Sequence, residues 1–337
     1  MKILDEIWKR GKEFLSVDYP IISGGMTWVS TYELVKSVSD NGAFPVFAGG
    51  NMPSELFEHE IDRCLEKLNK PFAVNLITIA PNYREHYKIL LSKKVPFVIF
   101  AGSFPKKSDV KIMKETGKKV MSFASEKSIA KKQIDFGVDA LILEGSEAGG
   151  HIGHVSLTVL LQDVLFDMRD FPVFVAGGIA TGKMMAHLLL MGACGCQLGT
   201  RFVMSEECTA HPKFKEAFMK ARARQAIATP QYDSKLPVVA VRAIKNKSMK
   251  DFGRLQLELL NKLERGEITR EKAQYEVENF WVGGLRNAVI DGDIDSGSLM
   301  AGQSVGLIKN IKSVKDIIKE FIDDAEEEFQ RIKCILS

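Results

Sequence analysis

Between Tyr19 and Phe202, short runs of β-branched, aromatic and other apolar residues alternate with longer stretches that mix apolar and charged positions. The runs cover residues 20–24, 43–48, 72–76, 97–101, 119–123, 140–144, 173–176 and 195–198, and most close on glycine. Several are almost wholly apolar, the pattern of strands covered on both faces rather than of a sheet with one wet side. Eight such strands with helices between them predict an α/β fold closed as a (β/α)8 TIM barrel.

The stretches between the runs carry helix signals. Ser54 stands where it can cap a helix over 55–68, Ser125 where it can cap one over 126–136, and Gly137 where that helix should stop. After Phe202 the alternation ends. Residues 205–224 and 249–280 read as helical, with no further strand between them, and this stretch closes near Gly297. Residues 314–332 form a charged amphipathic pattern suited to packing on the barrel exterior. The expected organisation is a barrel from 1–204 with 304–337, and a mainly helical insertion at 205–303 covering its mouth.

Composition narrows the function classes. With 337 residues, 45% hydrophobic and 26% charged, the chain is globular, and its formal charge of +3 is spread over mixed-sign stretches. No basic stripe marks a nucleic-acid binder. Five cysteines, none in a C-x-x-C pair, suit a reducing compartment. Charges interrupt residues 1–17, and no apolar run is long enough for a bilayer, so a cytoplasmic protein without a membrane partner is expected.

In such barrels reactive groups gather after the C-terminal ends of the strands. Glycine is concentrated at those places: Gly24-Gly25, Gly49-Gly50, Gly102, Gly145 to Gly153, Gly177-Gly178 and Gly199. Any one of them serves a tight turn; their joint occurrence at one rim points to backbone approaching a ligand. The segments Ala176-Gly177-Gly178-Ile179 and Gln197-Leu198-Gly199-Thr200, following the seventh and eighth strands, suit a phosphate cradle. Gly177 to Lys183 also spells G-x-x-x-x-G-K, but Met184 stands where a Ser or Thr would bind Mg²⁺, which rules against a nucleoside-triphosphate loop.

The segment Glu144 to His154 concentrates the remaining chemistry. His151, in a flexible glycine-walled loop at the barrel mouth, can give or take a proton near neutrality. His154 is a weaker candidate, and His59, His86, His187 and His211 read as structural or solvated. Asn75, closing the third strand, offers an amide suited to a ligand ring edge or to capping a loop. Cys194 and Cys196, two apart, are expected on one face of a strand as small packing residues, and no ligand spacing completes a metal site.

These residues carry a resemblance. The blocks YPIISGGMTWVS, GGN, PFAVNL, EGSEAGGHIG, VAGGIATG, QLGTRF, VRAIKN and GSLMAGQSVGLI, in this order from Tyr19 to about Phe321, are similar to the FMN-dependent nitronate monooxygenase and enoyl-acyl carrier protein reductase II group. The last two blocks and the short connection between strands three and four look more like the enoyl reductase branch. Ser23 stands where glutamine is frequent in that group, Thr181 where aspartate is common, and Ala43-Phe44-Pro45 where strand two usually starts on glycines. The resemblance implies FMN against Gly24, Gly25, Met26, Thr27, Asn75, Glu144, Gly149, Gly150, Ala176 and Gln197. It places the phosphate on Gly177, Gly178, Gly199 and Thr200, and makes His151 the catalytic histidine.

The expected reaction is NADH- or NADPH-dependent reduction of a trans-2-enoyl thioester, with His151 donating a proton or polarising the carbonyl. The alternative is oxidation of a nitronate by oxygen with His151 as base. An inosine-monophosphate dehydrogenase would need a nucleophilic cysteine after strand six, where this chain has histidine. Acyl carrier protein is a candidate partner, with Arg222, Arg224 and Lys245 available to meet it, and a homodimer is a candidate assembly.

Overall fold

The computed structural model describes residues 3–236 and 238–336; Met1, Lys2, Pro237 and Ser337, which the expected domain ranges include, lie outside the described residues. Eleven strands are present among the described residues: β1 (Ile21–Ser23), β2 (Val46–Ala48), β3 (Ala73–Ile77), β4 (Phe97–Ala101), β5 (Lys119–Ala124), β6 (Ala140–Glu144), β7 (Gly150–Ile152), β8 (Val173–Ala176), β9 (Gly195–Leu198), β10 (Ala226–Ala228) and β11 (Ala240–Ile244). Eight of them form one parallel sheet in the order β1-β9-β8-β6-β5-β4-β3-β2, with helices between them, the (β/α)8 TIM barrel the alternation predicts.

The last seam closes ahead of β2 proper. Phe44 makes a parallel bridge with Ile22, its amide donating to the Ile21 carbonyl at 2.8 Å and its carbonyl accepting from Ser23 at 3.0 Å. Pro45 has no N–H to offer the ladder. The next amide, Val46, donates instead to the buried Ser23 hydroxyl at 3.0 Å. Ser23 and Phe44-Pro45, where this chain departs from the group it resembles, thus act together to close the barrel.

Because both faces of the sheet are covered, successive residues serve two cores. Phe97, Ile99, Met121, Ala140, Ile142 and Phe174 point into the barrel. Val98, Phe100, Val120, Leu141, Leu143 and Val175 pack outward against the helices. Phe14, on the helix Lys9–Leu15, plugs the N-terminal end, its ring 5.8 Å from both Phe97 and Phe174. The same alternation turns Asn75, Glu144 and Gln197 inward at the opposite end, where register sets Glu144, Ala176 and Gln197 in one row.

Several local expectations are corrected. Ser54 is the first residue of its helix, Ser54–Lys67, and its hydroxyl donates to Glu85 at 2.8 Å instead of capping. The helix Lys127–Phe136 starts after Glu126 with no side-chain cap, although Gly137 ends it in the left-handed region. Thr181 does cap its helix, Gly182–Leu190, accepting from Met184. Cys194 precedes β9 and lies in the inner core, whereas Cys196 faces the outer one, so the two do not share a face.

After Phe202 the helices Pro212–Lys220, Lys247–Glu264 and Arg270–Arg286 follow, the last two separated by a turn at Gly266 and a Thr269 cap. The expectation of no further strand fails: β10 and β11 lie between these helices, and β11 pairs antiparallel with β7. The amphipathic helix near the C-terminus runs Val314–Leu336 and packs against Gly182–Leu190. No helix among the described residues is long and apolar enough to cross a membrane.

Ser23→Ala leaves the buried Val46 amide without its acceptor; chemical denaturation should show a loss of about 1–3 kcal/mol. An unchanged midpoint would mean that this bond does not hold the seam.

Candidate active site

A mostly apolar cavity of about 510 Å³ opens at the C-terminal end of the barrel. All fifteen residues singled out from the sequence line it: His151 with Gly24, Gly25, Met26, Thr27, Asn75, Glu144, Gly149, Gly150, Ala176, Gly177, Gly178, Gln197, Gly199 and Thr200. His154 also lines it but is exposed. The other histidines are elsewhere: His59 is exposed, His86 is buried against Phe57 with Nε2 3.0 Å from the Met52 carbonyl, His187 meets Glu328, and His211 caps the helix Pro212–Lys220.

The floor and one wall come from the strand ends. Gly177 and Gly178 have φ of 95° and 71°, a consecutive left-handed pair that side chains disfavour. The amides of Gly178, Gly199 and Thr200, three residues that line this cavity, find no acceptor among the described residues. Such a group of free N–H dipoles is the backbone's means of holding an anion. Two buried carbonyl oxygens of the lining, Asn51 Oδ1 and Gln197 Oε1, also lack a protein donor. The decoy motif does not compete, for the Gly182 amide donates to Asp324 and Lys183 pairs with Glu327, both on the C-terminal helix.

His151 does not ride on a flexible loop. It lies on β7, opposite Val241 of β11, with Gly150 opposite Arg242 and Ile152 opposite Ala240. Arg242 is buried; it donates to the Ser146 carbonyl at 2.9 Å and the Ala226 carbonyl at 2.6 Å, tying β10, β11 and the turn before β7 together. Glu147 accepts from the Leu157 amide through its carboxylate and from Gln303 through its carbonyl, which fixes the other side of the turn.

The imidazole meets a carboxylate. His151 Nε2 is 3.3 Å from Glu278 Oε2, a contact that brings the charges together without hydrogen-bond alignment, and the side chains are only 18% and 11% exposed. Burial disfavours the charged imidazole, but the Glu278 carboxylate more than offsets this and moves the pKa upward. Nδ1 has no hydrogen-bond partner among the described residues, and the residue lines the cavity. Glu144 behaves oppositely: burial alone pushes its carboxyl up to about 8, so it is held neutral.

A family model for nitronate monooxygenase matches residues 9–324. The chain belongs to the nitronate monooxygenase family. FabK of Thermotoga maritima is 33% identical, with 97% of this chain and 98% of that chain covered and a TM-score of 0.83. The (3aS,4S,5R,7aS)-5-hydroxy-7a-methyl-1-oxo-octahydro-1H-indene-4-carboxyl-CoA dehydrogenase of Mycobacterium tuberculosis is 25% identical, covering 96% of this chain and 98% of that protein. A probable nitronate monooxygenase of Staphylococcus aureus is 25% identical, covering 88% and 92%. This family member is an oxidoreductase.

Sequence reasoning missed Glu278 because a glutamate in a helix normally faces water. A signal existed: Ala273, Val277, Trp281 and Leu285 form a buried stripe at four-residue spacing, and Glu278, itself buried, sits beside it. It also missed Arg242, whose block it quoted for resemblance only. Arg222, Arg224 and Lys245, named as a partner surface, do not line the cavity. Trp281, Met300 and Ser304 line it from the region after Phe202.

A Cβ on Gly149 would come 2.5 Å from the Ala301 carbonyl carbon and the Gly302 nitrogen, both backbone atoms that cannot rotate aside. Gly149→Ala should therefore displace β7 and destabilise the fold by about 1–3 kcal/mol. Wild-type stability, together with wild-type exchange protection of the β7 amides, would contradict that packing.

Proposed function

We propose that this family member binds FMN and uses NADH or NADPH to reduce 2-enoyl thioesters, with His151 as the acid. The observation that carries the reading is the pairing of His151 with Glu278: the carboxylate favours the charged imidazole, the form from which a proton can be given. The identity to FabK, an enoyl-acyl carrier protein reductase II, supports it, as do the two late sequence blocks.

The site fits the cofactor. The free amides of Gly178, Gly199 and Thr200 suit its phosphate, and the unsatisfied Gln197 oxygen suits a ring or ribityl donor. Asn75 adds an amide to the lining, and a neutral Glu144 puts no charge against it. When bound, FMN supplies hydride chemistry, the nicotinamide being the source. His151 then polarises the thioester carbonyl or gives its proton to the α-carbon, and Glu278 stabilises the cation it starts from.

In the second reading, favoured by the family model and the Staphylococcus relatives, His151 takes a proton from a nitroalkane or orients a nitronate, and oxygen completes the oxidation. The readings differ in sign against pH. A donor with a raised pKa works below that value, so reductase kcat/KM should fall as pH rises through it. Glu278→Gln removes the counter-charge, leaves the desolvation, and should move that fall to lower pH. Activity that instead rises through the same pH range would mark His151 as a base.

The substrate is settled by reducing the flavin-loaded protein anaerobically. Crotonyl thioester should reoxidise it, whereas turnover of propyl-2-nitronate with oxygen and without NAD(P)H consumption would overturn the reductase reading. His151→Ala should keep its flavin and lose roughly 10²- to 10⁴-fold in kcat; full turnover would remove the imidazole from the mechanism.

A further inference from the structure

The mouth of the cavity has a basic, aromatic rim that the reaction does not use. Phe104, on the turn after β4, lines the cavity and is 46% exposed, so its ring is open both to the cavity and to solvent. Lys132 Nζ lies 4.5 Å from the centre of that ring, which places its cation beside Phe104. Lys106 and Lys107, two and three residues past Phe104, are exposed and have no acidic partner among the described residues. They begin the helix Lys107–Glu115, whose N-terminus carries no side-chain cap, so its free amides add to the positive field.

The acids nearby do not cancel this charge. Asp109 turns inward, accepting from Tyr83 at 2.7 Å and pairing with Arg84. Glu115, at the far end of that helix, is paired with Lys111. On the neighbouring helix Lys127–Phe136, Lys127 is taken by Asp163 and Asp167, Glu126 accepts from the Ser128 hydroxyl, and Lys131 and Lys132 have no acidic partner at ion-pair distance among the described residues.

Resting on the thioester reading above, we propose that Lys106, Lys107 and Lys132 bind the phosphate on the arm of the acyl thioester, with Phe104 against the apolar part of that arm. Thioester acyl groups are carried on pantetheine bearing a phosphate ester, whether in free coenzyme A or attached to a carrier protein. A relative of this chain is named for a carboxyl-CoA substrate. An acyl end in the cavity beside His151 leaves the arm to leave past Phe104, with Lys132 over that ring and Lys106 and Lys107 two and three residues further along the chain. The rim is thus a specificity element for the carrier, separate from the site of hydride and proton transfer.

The test compares the flavin-loaded wild type with a Lys106→Glu/Lys107→Glu variant on three substrates: crotonyl-CoA, crotonyl-phosphopantetheine, and the crotonyl thioester of N-acetylcysteamine, which has no phosphate. KM for the phosphate-bearing substrates should rise roughly three- to tenfold, as expected for two exposed charge reversals, with kcat and the N-acetylcysteamine KM unchanged. A rise with both assigns the rim to the phosphate shared with carrier proteins; a rise with crotonyl-CoA alone would put the lysines against the nucleotide phosphates and overturn the arm assignment. Unchanged KM for both, or an equal rise for the phosphate-free thioester, overturns the proposal. If wild type reduces none of the three, the thioester reading itself fails. Calorimetric titration of CoA into the same two proteins then decides the rim without turnover, equal affinity being the overturning result.

Discussion

A sheet closed into a barrel and wrapped by helices has no wet face, so every strand must divide its side chains between two dry cores. In this chain that constraint fixes the outward Val, Leu and Phe set against the helices and the inward Phe, Ile, Met and Ala set within the barrel. The constraint relaxes only at the C-terminal rim. There the inward positions become Asn75, Glu144 and Gln197, and the connections become glycines with unpaired amides. Polar atoms at this depth are costly without partners, and their concentration in one cavity is what marks the site.

The proton-handling group is held from outside the barrel. His151 leaves the rim on a short strand whose hydrogen-bonded neighbour, β11, and whose counter-ion, Glu278, both come from the chain after Phe202. Arg242 binds carbonyls on both sides of that junction. The cavity thus joins two unlike surfaces: a backbone cradle suited to an anion on the strand ends, and a charged pair in an apolar surround above it. A buried charge next to its partner keeps a protonation state that water would not enforce, which gives one imidazole a defined role.

Much of this was legible in the residues. The eight barrel runs could be read because strands buried on both faces are nearly continuous in hydrophobicity, and the glycine clusters because backbone approach leaves its own signature. What could not be read depended on contacts far apart in sequence. β11 contains a buried arginine and β7 is only Gly-His-Ile, so neither resembles a strand until they are paired. Ser54 and Ser125 fit a cap pattern, yet the helices begin at Ser54 itself and at Lys127, each one residue from the expected start. Glu278 lies more than a hundred residues from His151, and only the helix stripe beside it hints that it faces inward.

The central claim concerns a single titration. Labelled histidine NMR on the flavin-loaded protein, followed from acid to alkaline pH, should show the His151 ring holding its proton above the ordinary imidazole range, and losing it at lower pH in Glu278→Gln. A His151 that is already neutral below that range, or one indifferent to the carboxylate at position 278, would contradict the account.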